Sequence, residues 1–205
     1  MVVIVDYGMG NLASIANMLK KVAAPSIVSS DLAEIARAEK LVLPGVGAFD
    51  HGMRNLDARG LIPILAARAL KDKIPVLGLC LGMQLFTQSS EEGNLPGLGW
   101  IVAETVRFIL DADKAYLKIP HMGWNTLQPH RAHPIFAGLD AEARFYFVHS
   151  YHVLCENPEN VLAQTIYGYP FASAVVQDNI IGLQFHPEKS HKFGMRVLKN
   201  FAELV

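Results

Sequence analysis

The chain has 205 residues, enough for one domain with a large core, and we expect residues 1–205 to form a single domain. Hydrophobic residues make up 51% of the sequence and charged residues only 18%, which predicts extensive burial. The net charge of −1 provides no basic excess for binding nucleic acid. The two cysteines have no paired spacing, so the composition argues against a disulfide framework and indicates a reducing compartment.

The N-terminal segment and the distribution of apolar residues bear on targeting. Met1–Asp6 lacks a basic region and is too short for a signal peptide. No apolar run approaches the ~20 residues that a membrane-spanning helix needs. We therefore expect a soluble, cytoplasmic protein that binds no membrane.

The first predicted elements are a buried strand at Val2–Val5, a glycine-rich turn and a helix. The turn and helix start, Gly8–Ala13, match the dinucleotide fingerprint G-x-G-x-x-G/A, and Asp31 lies about where a ribose-binding acid would be. A bare match of this kind is weak, but it allows a nucleotide-binding interpretation. A second strand is predicted at Ile27–Val28, and Asp31 followed three residues later by Glu34 predicts a capping box for a short helix.

A third strand is predicted at Leu41–Leu43, and it leads into the segment Pro44-Gly45-Val46-Gly47. Glycines beside a proline allow a backbone N–H to turn towards a ligand, as an oxyanion hole requires. The same residues are also compatible with a simple Pro-Gly turn. Helical periodicity follows over Phe49–Leu56 and Leu61–Leu70.

A cysteine then stands between two glycines where a strand pattern changes into a helix pattern. The apolar run that begins at Val76 contains G-x-C-x-G centred on Cys80, which is the thiol form of a nucleophile elbow. Such a turn needs small flanking residues, because two backbone segments pass close together there. The first N–H of the following helix, at Leu81, favours a thiolate and later an oxyanion. The alternative is a buried cysteine whose neighbouring glycines only allow strand and helix to pack.

A possible base and its orienting acid occur far downstream. The segment Asn179–Phe185 predicts a strand that runs directly into His186-Pro187-Glu188. Residues two apart in an extended chain point the same way, so the Glu188 carboxylate can orient the His186 imidazole. The order Cys, His, Glu argues against an α/β-hydrolase, in which the acid precedes the histidine.

The order of the elements predicts the fold class. Strands and helices alternate up to the cysteine, which predicts an α/β fold with a mostly parallel, doubly wound sheet flanked by helices. Its site should lie at the carboxyl ends of the strands. Additional short antiparallel strands are predicted in the C-terminal half, and an amphipathic helix over His191–Leu204. The polar segment Ser89–Gly97 is predicted to be solvated surface.

Two pairs of histidines have a spacing that could suggest metal binding. They are His130 with His133, and His149 with His152. Neither pair has a third ligand at a suitable spacing, so we predict no metal site.

The segments G-L-C-L-G-M-Q and, about a hundred residues later, Q-F-H-P-E resemble those of the class I (triad) glutamine amidotransferase family over nearly the whole chain. Members of that family hydrolyse glutamine through a cysteine thioester and pass the ammonia to a synthase. In combination, P-G-V-G, P-H-M-G-W-N, Y-F-V-H-S-Y and H-P-E-K resemble one branch of the family, the glutaminase subunits of imidazole glycerol phosphate synthases.

This resemblance implies a role for each matching position. The catalytic triad would be Cys80, His186 and Glu188. The N–H groups that stabilise the oxyanion would lie near Gly45, Val46 and Leu81. The residues that hold glutamine would be Gly47, Gln84, Ser150 and Tyr151. The positions on the synthase-facing side would be Asn11, Trp124 and Lys189.

The resemblance also implies a partner and a pathway. The partner is a separate (βα)8-barrel cyclase subunit that forms a heterodimer with the glutaminase and receives its ammonia through a channel. The cyclase makes imidazole glycerol phosphate and AICAR from PRFAR in histidine biosynthesis. No cofactor is implied, and the chain would be a single glutamine amidotransferase domain.

Three other interpretations remain open. The chain could be another class I glutaminase, serving anthranilate, pyridoxal phosphate or nucleotide synthesis. It could be a thiol hydrolase or peptidase that uses the same cysteine turn without a synthase. It could also be a non-catalytic module that binds a nucleotide through Gly8–Ala13.

Overall fold

The computed structural model describes residues 1–114 and 116–205, which adopt an α/β fold. The helices are α1 (Leu12–Lys21), α2 (Leu32–Ala36), α3 (Phe49–Ala58), α4 (Leu61–Ala66), α5 (Leu81–Leu85) and α6 (His191–Leu204). Helix α4 continues into a wider helical turn over Ala67–Lys71. Among the described residues, no helix is both long enough and apolar enough to cross a membrane.

The strands are short and become more frequent in the second half of the chain. They are β1 (Val2–Val5), β2 (Ser26–Ser29), β3 (Lys40–Leu43), β4 (Val76–Leu79), β5 (Ser89–Ser90), β6 (Ala103–Arg107), β7 (His121–Thr126), β8 (Gln128–Pro129), β9 (Arg144–His149), β10 (Tyr151–Cys155), β11 (Val161–Tyr167), β12 (Tyr169–Gln177) and β13 (Ile180–Leu183).

One large sheet organises the molecule and has a parallel and a mostly antiparallel half. The parallel half has the order β2-β1-β3-β4-β13. Strand β13 also pairs antiparallel with β12, and the sheet continues through β10, β6 and β5. Strands β7 and β9 form a separate antiparallel pair. Because β3, β4 and β13 are parallel neighbours, the residues that follow them meet at one edge of the sheet.

The parallel half is buried on both faces, as the continuous apolar strands predict. In β1, Val3 and Val5 pack into one core together with residues of α3, α4 and α5. Val2 and Ile4 point to the opposite face and pack into a second core with α1 and α6. This arrangement confirms the predicted doubly wound sheet with helices on both sides.

Some segments differ from their sequence-based predictions. The histidine-containing segments after Pro120 and Ser150 form the strands β7 and β10, which had not been predicted. The start of α2 has no capping box, because the Asp31 N–H donates to Ser29 Oγ while the Asp31 carboxylate caps the helix. The prediction of a solvated loop at Ser89–Gly97 was wrong in part, because Ser90 is buried.

Candidate active site

The cysteine turn forms a sharp strand-to-helix corner between β4 and α5. Cys80 has φ 52° and ψ −107°, a conformation that L-residues rarely adopt, and its N–H donates to the Leu183 carbonyl oxygen at 2.7 Å. A Cβ at Gly78 would lie 2.4 Å from the Phe86 ring, and one at Gly82 would lie 1.8 Å from the Leu43 carbonyl oxygen. The predicted need for small residues on both sides of Cys80 is therefore confirmed.

The predicted base and acid lie beyond the end of β13. The His186 N–H donates to the Tyr146 carbonyl oxygen at 2.9 Å, which fixes the backbone of the histidine beside β9. The residues that follow, Pro187–Lys189, form one tight helical turn. This turn brings Glu188 Oε1 to 2.8 Å from His186 Nδ1, and both side chains are 2% exposed.

Burial and charge have opposite effects on His186. Burial by itself lowers the pKa of the imidazole. Cys80 and the Glu188 carboxylate raise it by more than burial lowers it, so the pKa reaches about 10. The other ring nitrogen, Nε2, is buried and has no hydrogen-bond partner among the described residues. An imidazolium with one nitrogen held by a carboxylate and the other free has a proton available for a reacting group.

The side chains of Cys80 and His186 line the same cavity, which has a volume of about 310 Å³. This size is near the lower end of the roughly 300–1,000 Å³ found for small-molecule sites. Its other lining residues are Val46, Gly47, Leu81, Gln84, Glu92, Pro120, Val148, His149, Ser150 and Tyr151. A thiol and an imidazole therefore face a pocket that can hold a small polar molecule.

The glycine loop after β3 packs directly on the cysteine turn. A Cβ on Gly45 would lie 2.7 Å from Leu81 Cβ and 2.9 Å from the Gly82 nitrogen, so only glycine allows this contact. The buried Tyr7 hydroxyl donates to the Pro44 carbonyl oxygen and ties the loop to the end of β1. Val46 and Gly47 line the cavity, whereas Gly45 is not among its lining residues.

Comparison with known proteins identifies the family. The family model for class I glutamine amidotransferases, described as "Glutamine amidotransferase class-I", matches residues 3–204. The chain belongs to the class I glutamine amidotransferase family. The predicted family membership is therefore confirmed.

Relatives of this amidotransferase match it over their whole length. One from Pseudomonas aeruginosa, named imidazole glycerol phosphate synthase subunit HisH 2, is 51% identical over 205 residues. The alignment covers 100% of both chains. A relative of the same name from Methanococcus maripaludis is 53% identical over 201 residues, which are 98% of each chain.

Solved structures share the fold at much lower identity. A crystal structure described as glutamine amidotransferase has a TM-score of 0.70 at 19% identity, with 98% of this chain and 99% of that chain covered. The PurLQS structure from Thermotoga maritima has a TM-score of 0.69 at 17% identity, with 98% and 96% covered. These likenesses bear on the fold of the amidotransferase and not on its substrate.

The residues predicted to hold glutamine all lie at the cavity. Gly47, Gln84, Ser150 and Tyr151 line it together with Val46 and Leu81. Gln84 is nearly buried, and its Nε2 donates to the Tyr151 carbonyl oxygen at 3.1 Å. The structure thus brings these residues together with Cys80 and His186, whereas Glu188 and Gly45 are not among the lining residues.

The residues predicted to face a synthase lie outside the cavity. Trp124 is 46% exposed and stacks on His191, with ring centroids 5.2 Å apart. Lys189 Nζ lies 5.5 Å from the centroid of the Tyr146 ring. Asn11 is exposed at the start of α1, a helix that contacts the turn containing Lys189.

Two titratable cavity residues, Glu92 and His149, had no assigned role at the sequence level. Glu92 lies in the loop predicted to be solvated, but its carboxylate accepts a hydrogen bond from the Phe49 N–H at 2.9 Å and reaches the cavity. No local pattern distinguishes it from the neighbouring Glu91. Burial lowers the pKa of His149 to about 3, so its ring is neutral and Nδ1 donates to the Tyr151 carbonyl oxygen at 2.7 Å.

The resemblance to a dinucleotide fingerprint has a structural explanation. Gly8 and Gly10 have positive φ values of 82° and 91°, and a Cβ at Gly10 would meet Pro44 at 3.0 Å. Gly10 therefore allows contact with the chain's own Pro44–Gly45 segment, and Gly8 lies against the Arg59 and Asn55 side chains. The Asp31 carboxylate accepts hydrogen bonds from Ala33 and Glu34 at the start of α2 and is engaged in capping. Both observations count against the nucleotide-binding interpretation.

Proposed function

We propose that this amidotransferase hydrolyses glutamine to glutamate and ammonia with a triad formed by Cys80, His186 and Glu188. The observation that carries the proposal is that Cys80 and His186 line one small cavity while Glu188 holds the far nitrogen of the imidazole. The raised pKa of His186 supports its role as the proton donor to the departing ammonia.

The reaction proceeds in two steps through a thioester. The Cys80 sulfur attacks the side-chain amide carbon, and the oxygen takes the negative charge. His186 Nε2 then gives its proton to the nitrogen, the C–N bond breaks and ammonia leaves. In the second step the neutral His186 accepts a proton from water, whose oxygen attacks the thioester, and the C–S bond breaks to release glutamate.

Backbone N–H groups at the corner of the site provide the oxyanion stabilisation in this proposal. The Leu81 N–H precedes the first hydrogen bonds of α5, in which Met83 and Gln84 donate to the Cys80 carbonyl oxygen. The N–H groups of Gly45 and Val46 belong to the loop that packs against this corner. Losing one such donor typically costs about 3–4 kcal/mol of transition-state stabilisation.

The substrate residues in this proposal are Gly47, Gln84, Ser150 and Tyr151. Gln84 uses its Nε2 on the Tyr151 and Gln184 oxygens, so its amide oxygen remains to accept a hydrogen bond from an ammonium or amide group of glutamine. The cavity volume of about 310 Å³ is within the range of small-molecule sites.

We further propose that the chain is the glutaminase subunit of an imidazole glycerol phosphate synthase in histidine biosynthesis. Full-length relatives of that name at 43–53% identity support this role. The ammonia passes to a separate cyclase subunit with a (βα)8 barrel, and the two chains form a heterodimer. Residues 1–205 act as a single glutaminase domain.

The surface around Trp124 and Lys189 supports a docking role for this partner. Met122 and Trp124 are exposed on β7, Lys189 lies on the turn that contains Glu188, and Asn11 begins the helix that contacts this turn. A partner that docks here contacts the chain segment that holds the triad base.

The decisive experiment measures glutamate release from glutamine by the purified chain, alone and with an imidazole glycerol phosphate cyclase subunit and its nucleotide ligand. Strong stimulation by the cyclase, and its loss in Cys80→Ala, is the expected result. The Cys80→Ala complex should still make imidazole glycerol phosphate from added ammonium salts, because only the ammonia supply is removed. Loss of both activities would contradict a role confined to ammonia supply.

The same assay separates the remaining interpretations. Glutamate release that is indifferent to the cyclase would retain the triad and indicate another class I glutaminase or a free-standing thiol hydrolase. Stimulation by an anthranilate or pyridoxal phosphate synthase subunit in its place would identify a different pathway.

A further inference from the structure

We propose that Gln184 is a further residue of the catalytic site, where its side-chain amide donates a hydrogen bond to the Cys80 sulfur and stabilises the thiolate. The role in turnover rests on the glutaminase function proposed above, whereas the contact with the sulfur does not. Gln184 lies two residues before His186, and its side chain is completely buried.

Gln184 directly follows β13, and this strand determines where its side chain lies. The Gln184 N–H donates to the Ser173 carbonyl oxygen of β12 at 2.9 Å, so its backbone is held at the edge of the sheet. From there its Nε2 reaches to 3.7 Å from Cys80 Sγ, which is a hydrogen-bonding distance for sulfur. The amide thus approaches the nucleophile from the sheet, independently of His186.

The orientation of the amide follows from its neighbours. An amide oxygen and nitrogen are exchangeable unless the surrounding hydrogen bonds decide between them. The Tyr151 carbonyl oxygen can only accept, so the Gln84 group that lies 3.1 Å from it must be Nε2. The same Nε2 lies 3.1 Å from the Gln184 side chain, which must therefore present its oxygen to Gln84. The N–H groups of Gln184 are then left to face the sulfur.

This donor acts on the charge that the sulfur gains and loses in each turnover. A hydrogen bond to a thiolate is stronger than one to a neutral thiol or a thioester sulfur. Gln184 therefore stabilises the attacking thiolate and again the thiolate that leaves when the thioester is hydrolysed. The Val148 carbonyl oxygen, 4.0 Å from Sγ, can only accept a hydrogen bond from the thiol and so favours the neutral form.

Several titratable groups share this environment and must be distinguished from Gln184. His186, backed by Glu188, and His149 and Glu92 line or adjoin the cavity. Tyr7 lies on the other side and interacts with the charge of Cys80. Since Gln184 has no charge, replacing it with methionine changes the hydrogen bonding of the sulfur without adding or removing an ionisable group.

The direct test is the rate at which iodoacetamide alkylates Cys80 in the full-length chain with Cys155→Ser in the background. Gln184→Met, which has a similar volume but no donor, should raise the pH at the midpoint of the alkylation profile, so that alkylation is about fivefold slower than in the parent at pH values below the parent's midpoint. In strongly alkaline solution the variant should react at least as fast as the parent, which shows that the site is intact. An unchanged midpoint would overturn the proposal.

Two further variants control for folding and packing. Gln184→Glu retains the acceptor for Gln84 Nε2 but, when ionised, presents a negative charge and no donor to the sulfur, so it should raise the midpoint of the alkylation profile more than Gln184→Met does. Ser173→Ala removes a buried hydroxyl next to Gln184 on β12 and leaves the amide on the sulfur, so it should alkylate at the parent rate. Equal slowing in Ser173→Ala would indicate a packing effect and contradict the proposal.

Turnover provides the second readout. With the cyclase present, Gln184→Met should lower kcat for glutamate release about tenfold and change KM by less than twofold, because Gln184 contacts the sulfur and not the cavity. An effect confined to KM would contradict the role in thiolate stabilisation. If the parent chain itself releases no glutamate, the proposed function fails, while the alkylation rates still decide the contact with sulfur.

Discussion

At the residue scale, the properties of the site depend on the hydrogen bond between His186 and Glu188. The bond is 2.8 Å long, and both side chains are almost completely removed from water. Because the carboxylate and the thiolate stabilise the imidazolium more than burial destabilises it, the pKa of His186 rises to about 10. In the proposed reaction, an imidazole in this state begins as the proton donor that departing ammonia needs.

The variant Glu188→Gln tests this state by activity. Removing the carboxylate lowers the pKa of His186. Glutamate release should therefore decline at a lower pH than in the parent, in which His186 has a pKa of about 10. We also expect kcat to fall about a hundredfold, since the imidazole loses its orienting group. The measurement is a pH profile of kcat with the cyclase present. Glu142→Gln, at an exposed carboxylate, should leave the profile unchanged.

The same pair has a predicted effect on stability. The native state binds the His186 proton more tightly than the unfolded chain does. The proton's contribution to stability is therefore complete below pH 6.5, the ordinary pKa of histidine, and disappears as the pH rises through about 10. The free energy of unfolding should therefore fall more steeply over this range in the parent than in Glu188→Gln. Urea unfolding at a series of pH values measures the difference, and parallel curves would contradict it.

At the scale of elements, three chain segments after β1, β3 and β4 pack against one another and shape the corner of the site. Gly10 contacts the Pro44–Gly45 segment, and Gly45 contacts the start of α5. The Tyr7 hydroxyl joins the first segment to the second by its bond to the Pro44 carbonyl oxygen. A change at the end of β1 is therefore transmitted to the loop that carries the proposed oxyanion donors.

Tyr7→Phe tests this link. Loss of the hydroxyl leaves the buried Pro44 carbonyl oxygen without its donor, which should lower the free energy of unfolding by about 1–3 kcal/mol. It should also lower kcat for glutamate release, because the loop is held less firmly. Tyr167→Phe, whose hydroxyl donates to the Lys118 carbonyl oxygen in an exposed position, should cost about 1 kcal/mol or less and leave kcat unchanged. Equal kcat values for the two variants would argue against the link.

At the scale of the whole molecule, the proposed docking surface continues from strand β7 to the catalytic turn. Trp124 on β7 contacts Tyr146 on β9, and Tyr146 accepts the His186 N–H through its carbonyl oxygen. Lys189 covers the same tyrosine ring. A partner bound to this surface therefore contacts residues that directly adjoin the base.

Trp124→Ala tests the docking surface. Removing a half-exposed tryptophan from an interface typically costs about 2 kcal/mol, so the cyclase should bind roughly thirtyfold more weakly. Calorimetric titration of the cyclase into each chain measures the Kd. Leu154→Ala removes an exposed apolar side chain from β10, a strand that pairs with β6 and β12 and not with β7, and should bind as the parent does. Equal weakening in both variants would contradict the assignment.

The parts of the fold and site that could be predicted from sequence depend on local relations. The turn around Cys80 was predictable because the two glycines lie beside the cysteine that they serve. The pairing of His186 with Glu188 was predictable from their closeness in the chain, but the predicted geometry was wrong, because a tight helical turn over Pro187–Lys189, and not an extended chain, brings the two side chains together. The order of strands and helices likewise determined the doubly wound sheet, since apolar runs separated by helical periodicity have few other solutions. The sequence by itself also determined the family, through motifs that stand far apart.

Only the tertiary structure decided which distant residues meet at the sulfur and the cavity. Gln184 lies 104 positions from Cys80, and Glu92 lies 43 from the Phe49 N–H that holds it. Neither contact leaves a periodic pattern, because it depends on strand register and loop packing and not on the spacing of residues within one element. The strands β7 and β10 were missed for the same reason, since their polar residues pair with neighbours that are identified only when the sheet has assembled.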